Sequence, residues 1–342
     1  MHISQSIRKR KNHIRSHARV ARDLAECTVQ PYRPIMAHLV VTRRCNLSCG
    51  YCSEYDKTSA PVPLDVLMQR VDRLAELECV FVTLTGGETL LHPRIAELVA
   101  YVRDCGMTPV MNSNGFLLSK ERIVELNEAG LFALQISVDN LEPNDVSMKS
   151  LRPLMPKLRA LAKHAEFRVR VNTVLGSGDP REAVEVARIV TELGFDAKCS
   201  LVRDAQGECV PVGDAERAAY EEIRSLGRHT SKLSEDFQIA LMDGDAVDWK
   251  CRSGARYFTV CEDGLVHLCE SSYGTPAKPL ALYGPDDIRV AYHQEKSCAA
   301  KCAVAYAHQA SRMDSWRDQN TYHDVPKRSW REAERAYLPV LM

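Results

Sequence analysis

From about residue 36 onward, short apolar β-rich runs alternate with segments whose apolar positions recur at helical spacing, the pattern of βα units around a parallel sheet. The runs predict strands at Ala37–Thr42, Val80–Thr85, Thr108–Ser113, Leu131–Val138, Arg168–Val174 and Asp196–Val202. Between them lie helical stretches such as Leu64–Leu77, His92–Cys105 and Pro180–Leu193. Six such units predict an α/β core with its ligand site at the carboxyl ends of the strands, where parallel α/β barrels carry theirs.

The flanks follow other patterns. In the first 30 residues Arg8, Lys9, Arg10, Lys11, Arg15, Arg19 and Arg22 share a predicted helix with an apolar side of Ile3, Ile7, Ile14, Ala18, Ala21 and Ala25. Such a helix suits an anionic membrane surface or an acidic partner; packing across the bottom of the core by its apolar stripe is the favoured expectation. Pro31 and Pro34 mark the entry to the core. Beyond the sixth strand, helical segments near Glu216–Leu226 and Glu235–Met242 form a connector. The turn Glu262-Asp263-Gly264 then separates two β-like runs, Arg256–Cys261 and Leu265–Cys269, a hairpin signal. The expected organisation is an arm at 1–35, a core at 36–205, a connector at 206–248, a second small domain at 249–310 and an unassigned tail at 311–342 with Trp316 and Trp330.

Composition narrows the classes. With 342 residues, 45% hydrophobic and 26% charged, the chain has room for a large α/β domain and a smaller one. A formal net charge of zero gives no signal for nucleic acid. The 13 cysteines occur without a secretory segment, so a reducing cytoplasm, with thiols used for metal, is the expected setting. No apolar run approaches the ~18 residues of a membrane span.

The chemistry concentrates after the first strand, where Cys45, Cys49 and Cys52 are spaced CxxxCxxC. Three thiolates on one loop can hold three irons of a cubane and leave the fourth open. A structural zinc needs four ligands, and no partner pair lies nearby. Three thiols within eight residues of a polar loop also differ from scattered core cysteines.

This stretch resembles the signature of the radical S-adenosylmethionine (AdoMet) superfamily, CxxxCxφC, with Tyr51 as the aromatic φ. The resemblance implies a partial (β/α)6 TIM-like barrel and a 4Fe-4S cluster on Cys45, Cys49 and Cys52. It further implies that the amine and carboxylate of AdoMet bind the open iron and that an electron cleaves the sulfonium to a 5′-deoxyadenosyl radical. Further landmarks are similar to the family's. Thr85-Gly86-Gly87-Glu88 resembles the GGE element: glycines allow close approach of the backbone to a ligand, and the resemblance gives Glu88 the AdoMet ammonium. Thr89 stands where the family often has Pro. Asn112-Ser113-Asn114-Gly115 resembles the T-N-G turn, and Ser137-Val138-Asp139 the S-x-D element near the AdoMet ribose and carboxylate. Asn172 is a further candidate, and Lys149 or Arg152 could supply a downstream cation. Glu54, Tyr55, Asp56, Arg203 and Asp204 are candidates for the substrate rim.

A second set of thiols follows. Cys251, Cys269, Cys298 and Cys302 come as C-x17-C, a gap and C-x3-C, with Gly264 inside the first interval. This is similar to the opening of SPASM and twitch extensions, whose hairpin carries an auxiliary 4Fe-4S cluster. The chain lacks the later cysteines of a full SPASM domain, so the single-cluster twitch form fits better. A zinc ion on the same four thiols is the alternative, and Cys261 is a spare. Cys27, Cys79, Cys105, Cys199 and Cys209 are expected to be structural.

The resemblance implies an enzyme that abstracts hydrogen from an unactivated C–H, the protein's own part being placement and closure. The first expectation is oxidation or rearrangement of a small metabolite, as in the alcohol dehydrogenases of aminocyclitol biosynthesis. The alternatives are maturation of a ribosomal peptide through thioether or C–C crosslinks, and a lipid-pathway enzyme or non-catalytic partner docked by the basic helix. The expected partners are a small-molecule or peptide substrate and a reductant such as flavodoxin or ferredoxin, without nucleic acid; contact with a membrane surface is not the favoured role.

Overall fold

The computed structural model describes residues 2–52, 55–204, 207–226, 236–272 and 277–317. Glu54, Glu235, Trp330 and the tail beyond residue 317 lie outside the described residues, as do the side chains of the first 15 residues, including Arg8, Lys9, Arg10, Lys11 and Arg15.

The six anticipated strands form one parallel sheet: β1 (Met36–Thr42), β2 (Phe81–Gly86), β3 (Thr108–Ser113), β4 (Ala133–Ser137), β5 (Arg168–Leu175) and β6 (Asp196–Leu201). Three more strands, β7 (Tyr257–Val260), β8 (Leu265–His267) and β9 (Lys278–Pro279), extend it in the order β6-β5-β4-β3-β2-β1-β7-β8-β9. The helix α1 (His2–Val29) precedes the sheet, and α2 (Leu64–Glu76), α3 (Ile95–Asp104), α4 (Lys120–Ala129), α5 (Leu151–His164) and α6 (Pro180–Glu192) connect its parallel strands. After β6 come α7 (Asp214–Leu226), α8 (Asp236–Met242), α9 (Pro285–His293) and α10 (Ala305–Arg312). This mixed α/β arrangement is a partial TIM-like barrel.

Local chemistry accounts for the elements. Every residue of β1 after Met36 is buried, as expected of a parallel strand covered on both faces. The helix α2 buries Leu64, Leu67, Val71 and Leu74 at helical spacing. Asp179 caps α6 by accepting from the Arg181 N–H at 2.9 Å, with Pro180 in its first turn. Most boundaries moved by a residue or two, and two starts have a clear local cause. His92 follows a short 3₁₀ turn, Thr89–Leu91, so α3 begins at Ile95. Leu131 closes the end of α4 through its N–H to the Leu126 carbonyl (3.1 Å), so β4 begins at Ala133.

The C-terminal hairpin continues the core sheet, because β7 pairs in parallel with β1 from Met36↔Tyr257 to Leu39↔Val260. At the opposite end of the strands, His17 of α1 packs on Phe132 (ring centroids 5.1 Å apart) and Arg19 donates to the Met107 carbonyl at 3.1 Å. Arg256 joins these parts. It is 0% exposed, and its guanidinium donates to both oxygens of Asp314 and to the carbonyls of Cys27, Gln30 and Arg33, each at 2.7–2.8 Å. These contacts use all five N–H donors of the group.

Breaking a buried pair by removing one partner costs about 3–5 kcal/mol. We expect Arg256→Met to lower denaturant-derived stability by that order, and Asp314→Leu in the same chain to recover part of the loss.

Candidate functional site

The loop that carries Cys45, Cys49 and Cys52 is seated on the end of β2. The Gly87 N–H donates to the Thr42 carbonyl at 2.8 Å and the Glu88 N–H to the Arg44 carbonyl at 2.9 Å. A Cβ on Gly86 would lie 2.1 Å from the Thr42 oxygen, and one on Gly87 2.3 Å from the Arg43 oxygen. The close approach these glycines permit is therefore to the cysteine loop itself, while their free edge lines a cavity. The loop is closed by the Cys45 N–H to Asp56 O (3.0 Å), Asp56 N–H to Arg43 O (2.8 Å) and Gly50 N–H to Val146 O (2.8 Å). Backbone N–H groups of Leu47 and Met148 point at the sulfurs of Cys45 (3.4 Å) and Cys49 (3.3 Å), contacts that stabilise thiolates and tune a cluster. Burial raises the Cys45 pKa, and the Leu47 N–H opposes it.

Glu88 does not line the cavity. It is 0% exposed, and its carboxylate accepts from Ser113 Oγ (2.7 Å), Asn114 N–H (2.7 Å) and Leu90 N–H (3.0 Å). Burial raises its pKa against those donors. Its observed contacts tie the end of β2 to the turn after β3, whose Asn112, Ser113 and Asn114 line the cavity.

Asp139 is likewise buried. It accepts from the hydroxyls of Tyr51 (2.7 Å) and Ser147 (2.6 Å) and from the Val174 N–H (3.0 Å). Lys149 donates to the Tyr51 hydroxyl at 2.7 Å and lies over its ring. Burial works to lower the Lys149 pKa, but its contacts with Tyr51 and Asp139 outweigh it and the net shift is upward. Burial raises the Tyr51 pKa. Lys149 lines the cavity, whereas Arg152 pairs with Glu142 at the surface with its side chain 68% exposed.

The cavity has a volume of about 580 Å³ and opens at the carboxyl ends of the strands. It brings together Cys45, Cys49, Cys52, Gly86, Gly87, Asn112, Ser137 and Asn172 from the anticipated set, and Tyr55, Arg203 and Asp204 from the anticipated rim. Asp56 instead holds its own turn through the N–H groups of Thr58 (2.9 Å) and Ser59 (2.8 Å). The cavity also takes in Gln135, Lys198, Glu270 and Tyr306, which sequence reasoning missed. The alternation Asp196, Lys198, Ser200 along β6 was a usable signal, since alternate strand residues share a face. Tyr306, from α10, reaches the Asn112 and Gln135 side chains and packs edge-on to His38 at 4.5 Å. Glu270 pairs with Arg203 and accepts from Tyr257 Oη at 3.1 Å, with His38 Nδ1 at 3.3 Å. Burial works to raise its pKa, but Arg203 and His38 prevail and hold it well below the ordinary 4.5.

The second set of thiols lies behind Tyr257. Cys251, Cys269 and Cys302 gather in an apolar cluster with Tyr257 and Val304, while Cys298 is exposed just before a 3₁₀ turn, Ala299–Lys301. Burial, followed by the charges of Cys251, Cys269 and Cys298, raises the Cys302 pKa, so the four share one electrostatic neighbourhood. Burial pushes the Cys269 thiol up to about 11. N–H groups of Ser271 and Val304 approach the sulfurs of Cys269 and Cys302, each at 3.4 Å.

Residues 39–202 match the radical SAM superfamily model. The GTP 3',8-cyclase of Synechococcus sp. (strain CC9902) is 31% identical over 69% of this chain and 74% of its own length. The chain belongs to the radical SAM superfamily. Sporulation killing factor maturation protein SkfB of Bacillus subtilis (strain 168) is 25% identical over 73% of the radical SAM chain and 62% of its own length. The chain spans 46% of the length of the AdoMet-dependent heme synthase of Methanosarcina barkeri (strain Fusaro / DSM 804) and 30% of that of the PqqA peptide cyclase of Bradyrhizobium diazoefficiens. Among solved structures, Streptococcus suis SuiB bound to precursor peptide SuiA superposes with a TM-score of 0.61 at 13% identity, covering 80% of this chain and 68% of that one, a likeness of fold.

The donor set fits the cluster that the family implies. Among the described residues lining the cavity there are three cysteines and no fourth, and backbone N–H groups already approach two of their sulfurs.

Two outcomes follow from this geometry. Gly87→Ala cannot seat the loop, so iron bound per chain should fall as far as in a Cys45→Ala, Cys49→Ala, Cys52→Ala triple variant, while the far-ultraviolet circular dichroism stays unchanged. Glu270 has a depressed pKa, so its pairing stabilises the fold above the ordinary 4.5 and is lost as pH falls below it. The Tm difference between the wild-type chain and Glu270→Gln should therefore begin to narrow as pH drops from 6 toward about 3; a gap of constant size over that range would discount the pair.

Proposed function

We propose that this radical SAM chain holds a 4Fe-4S cluster on Cys45, Cys49 and Cys52 and cleaves AdoMet to abstract hydrogen from a substrate in the cavity beside it. The single observation that carries this reading is a cavity with three thiols at one wall, and no fourth among its described lining, facing a polar wall of Asn112, Ser137 and Asn172. Three ligands leave a coordination position for the AdoMet amine and carboxylate. When bound, the cluster supplies the electron that breaks the AdoMet sulfonium and yields the 5′-deoxyadenosyl radical.

The protein's own residues bind and orient. The edge of Gly86 and Gly87, with Asn112, Ser137 and Asn172, receives the methionyl and ribose groups. Glu88 and Asp139 act from behind, holding the turn after β3 and the cysteine loop in place. Lys198, Arg203, Asp204 and Glu270 receive a polar substrate, and Tyr306 closes the cavity from the C-terminal side, excluding water from the reacting atoms.

We further propose that Cys251, Cys269, Cys298 and Cys302 hold an auxiliary 4Fe-4S cluster in a twitch-like region. Four thiolates, one for each iron, are the ligand set a cubane takes. A small polar metabolite fits the charged lining, with flavodoxin or ferredoxin as reductant. The second reading, maturation of a peptide, is favoured by the extent of the match to SkfB.

Anaerobic reconstitution with iron and sulfide tests both sites. About eight irons should fall to about four in the triple cysteine variant, with dithionite-driven AdoMet cleavage abolished. Retained cleavage would sink the first assignment, and about four irons falling to none, with zinc on the remaining thiols, would remove the auxiliary cluster. A peptide that loses hydrogens or gains a crosslink when incubated with the loaded chain would favour the second reading over the first.

A further inference from the structure

The hairpin of β7 and β8 carries a third constellation, separate from both sets of thiols. Cys261 follows β7, Asp263 lies in the turn and His267 is on β8. The strands are in register at Thr259↔His267, and the Cys261 N–H donates to the Leu265 carbonyl at 2.9 Å, so Cys261 and His267 are diagonal neighbours on one face of the ribbon. Asp263 is bent back by its own turn, where its carboxylate accepts from the Leu265 N–H at 2.9 Å. One ligand atom from each of the three lies within 4.8 Å of the other two, with Cys261 and His267 buried and Asp263 exposed.

We propose that Cys261, Asp263 and His267 form a mononuclear site for a divalent first-row cation, zinc by ligand class, that clamps the hairpin turn beside the cysteine loop. Thiolate, imidazole and carboxylate are the three ligand types zinc takes, and the exposed side leaves the fourth position to water. The surroundings suit a cation despite two arginines. Arg43 Nη2 lies 3.6 Å from the Cys261 sulfur while its Nε donates to Glu262 at 2.7 Å, and Arg70 donates to the carbonyls of Cys261 (3.0 Å) and Glu262 (2.9 Å). The guanidinium's N–H contact with the sulfur is of the outer-sphere kind that supports metal ligands. The carboxylates of Glu262 and Asp263 stand beside the two guanidiniums, Glu262 taking the Arg43 Nε and Asp263 lying with the other two ligand atoms. Because Arg43 lies two residues before Cys45, an ion here would fix the hairpin against the start of the cluster loop.

The test uses the full chain, loaded with iron and sulfide, equilibrated with zinc sulfate and desalted, with both metals counted by mass spectrometry. The wild type should hold about one zinc per chain, and Cys261→Ser, His267→Gln and Asp263→Asn should each weaken zinc by more than about tenfold while leaving iron unchanged. Cobalt chloride in place of zinc should give a thiolate-to-cobalt absorption band that Cys261→Ser abolishes. Zinc that is absent from the wild type, or that is retained in His267→Gln, would overturn the site. Iron lost in Cys261→Ser would also overturn it and assign that thiol to a cluster. Circular dichroism of each variant separates loss of metal from loss of fold, and the iron count keeps this result independent of the two cluster assignments.

Discussion

The candidate site depends on one steric constraint, the contact of two backbones at the end of β2. Gly86 and Gly87 lie so close to the Thr42–Arg44 segment that any Cβ would meet a carbonyl oxygen at 2.1–2.3 Å, a separation no side chain tolerates. Because the glycines are part of the core sheet and the opposing segment leads straight into Cys45, the position of the cysteine loop is inherited from the most rigid part of the molecule. Buried carboxylates then extend that rigidity outward. Glu88 carries it to the turn after β3, and Asp139, through Tyr51 and Ser147, carries it to the far side of the loop. Each costs desolvation, and each is matched by several donors, which is how a buried carboxylate is tolerated.

A second constraint works from the C-terminal side. The β7 strand is hydrogen-bonded to β1, and Arg256 at its start is fully committed to α1, the entry segment and Asp314. The C-terminal region is thereby held against the barrel firmly enough to contribute walls to its cavity. Glu270 directly follows Cys269, and Tyr306 lies four residues after Cys302. The thiols of the second set and two residues of the cavity are thus neighbours along the chain.

Charge is distributed unevenly in this arrangement. The wall formed by β1–β3 and the cysteine loop is dominated by backbone amides, thiols and neutral amide side chains, whereas the wall formed by β6 and the C-terminal region carries Lys198, Arg203, Asp204 and Glu270. A cofactor that brings its own cation and carboxylate suits the first wall, and a polar substrate the second. Glu88 is buried beside the first wall, where Ser113, Asn114 and Leu90 donate to its carboxylate. A carboxylate with three internal donors holds its turn in one position and leaves backbone and amide groups facing the cavity.

The barrel was legible because its evidence is local. Apolar runs such as Ala37–Thr42 and Arg168–Val174 obey a strand period whatever their neighbours do, and the CxxxCxxC loop and paired glycines are close enough in sequence for their spacing to carry chemistry. Bounds failed by a few residues where capping and a 3₁₀ turn, each set by single hydrogen bonds, decided the start of β4 and α3. Tyr306 and Glu270 were invisible because nothing in their own segments points to a cavity; they reach it only after β7 has docked on β1. The choice between Lys149 and Arg152 had the same cause, since both are cations three residues apart in the chain and only packing turns one to the cavity and leaves the other at the surface. The sequence by itself determined the element order, the thiolate loop and its place after the first strand, because these rest on period and spacing. The tertiary structure alone decided which side chains face the cavity and which brace it from behind, because burial and hydrogen-bond partners depend on contacts between segments far apart in the chain.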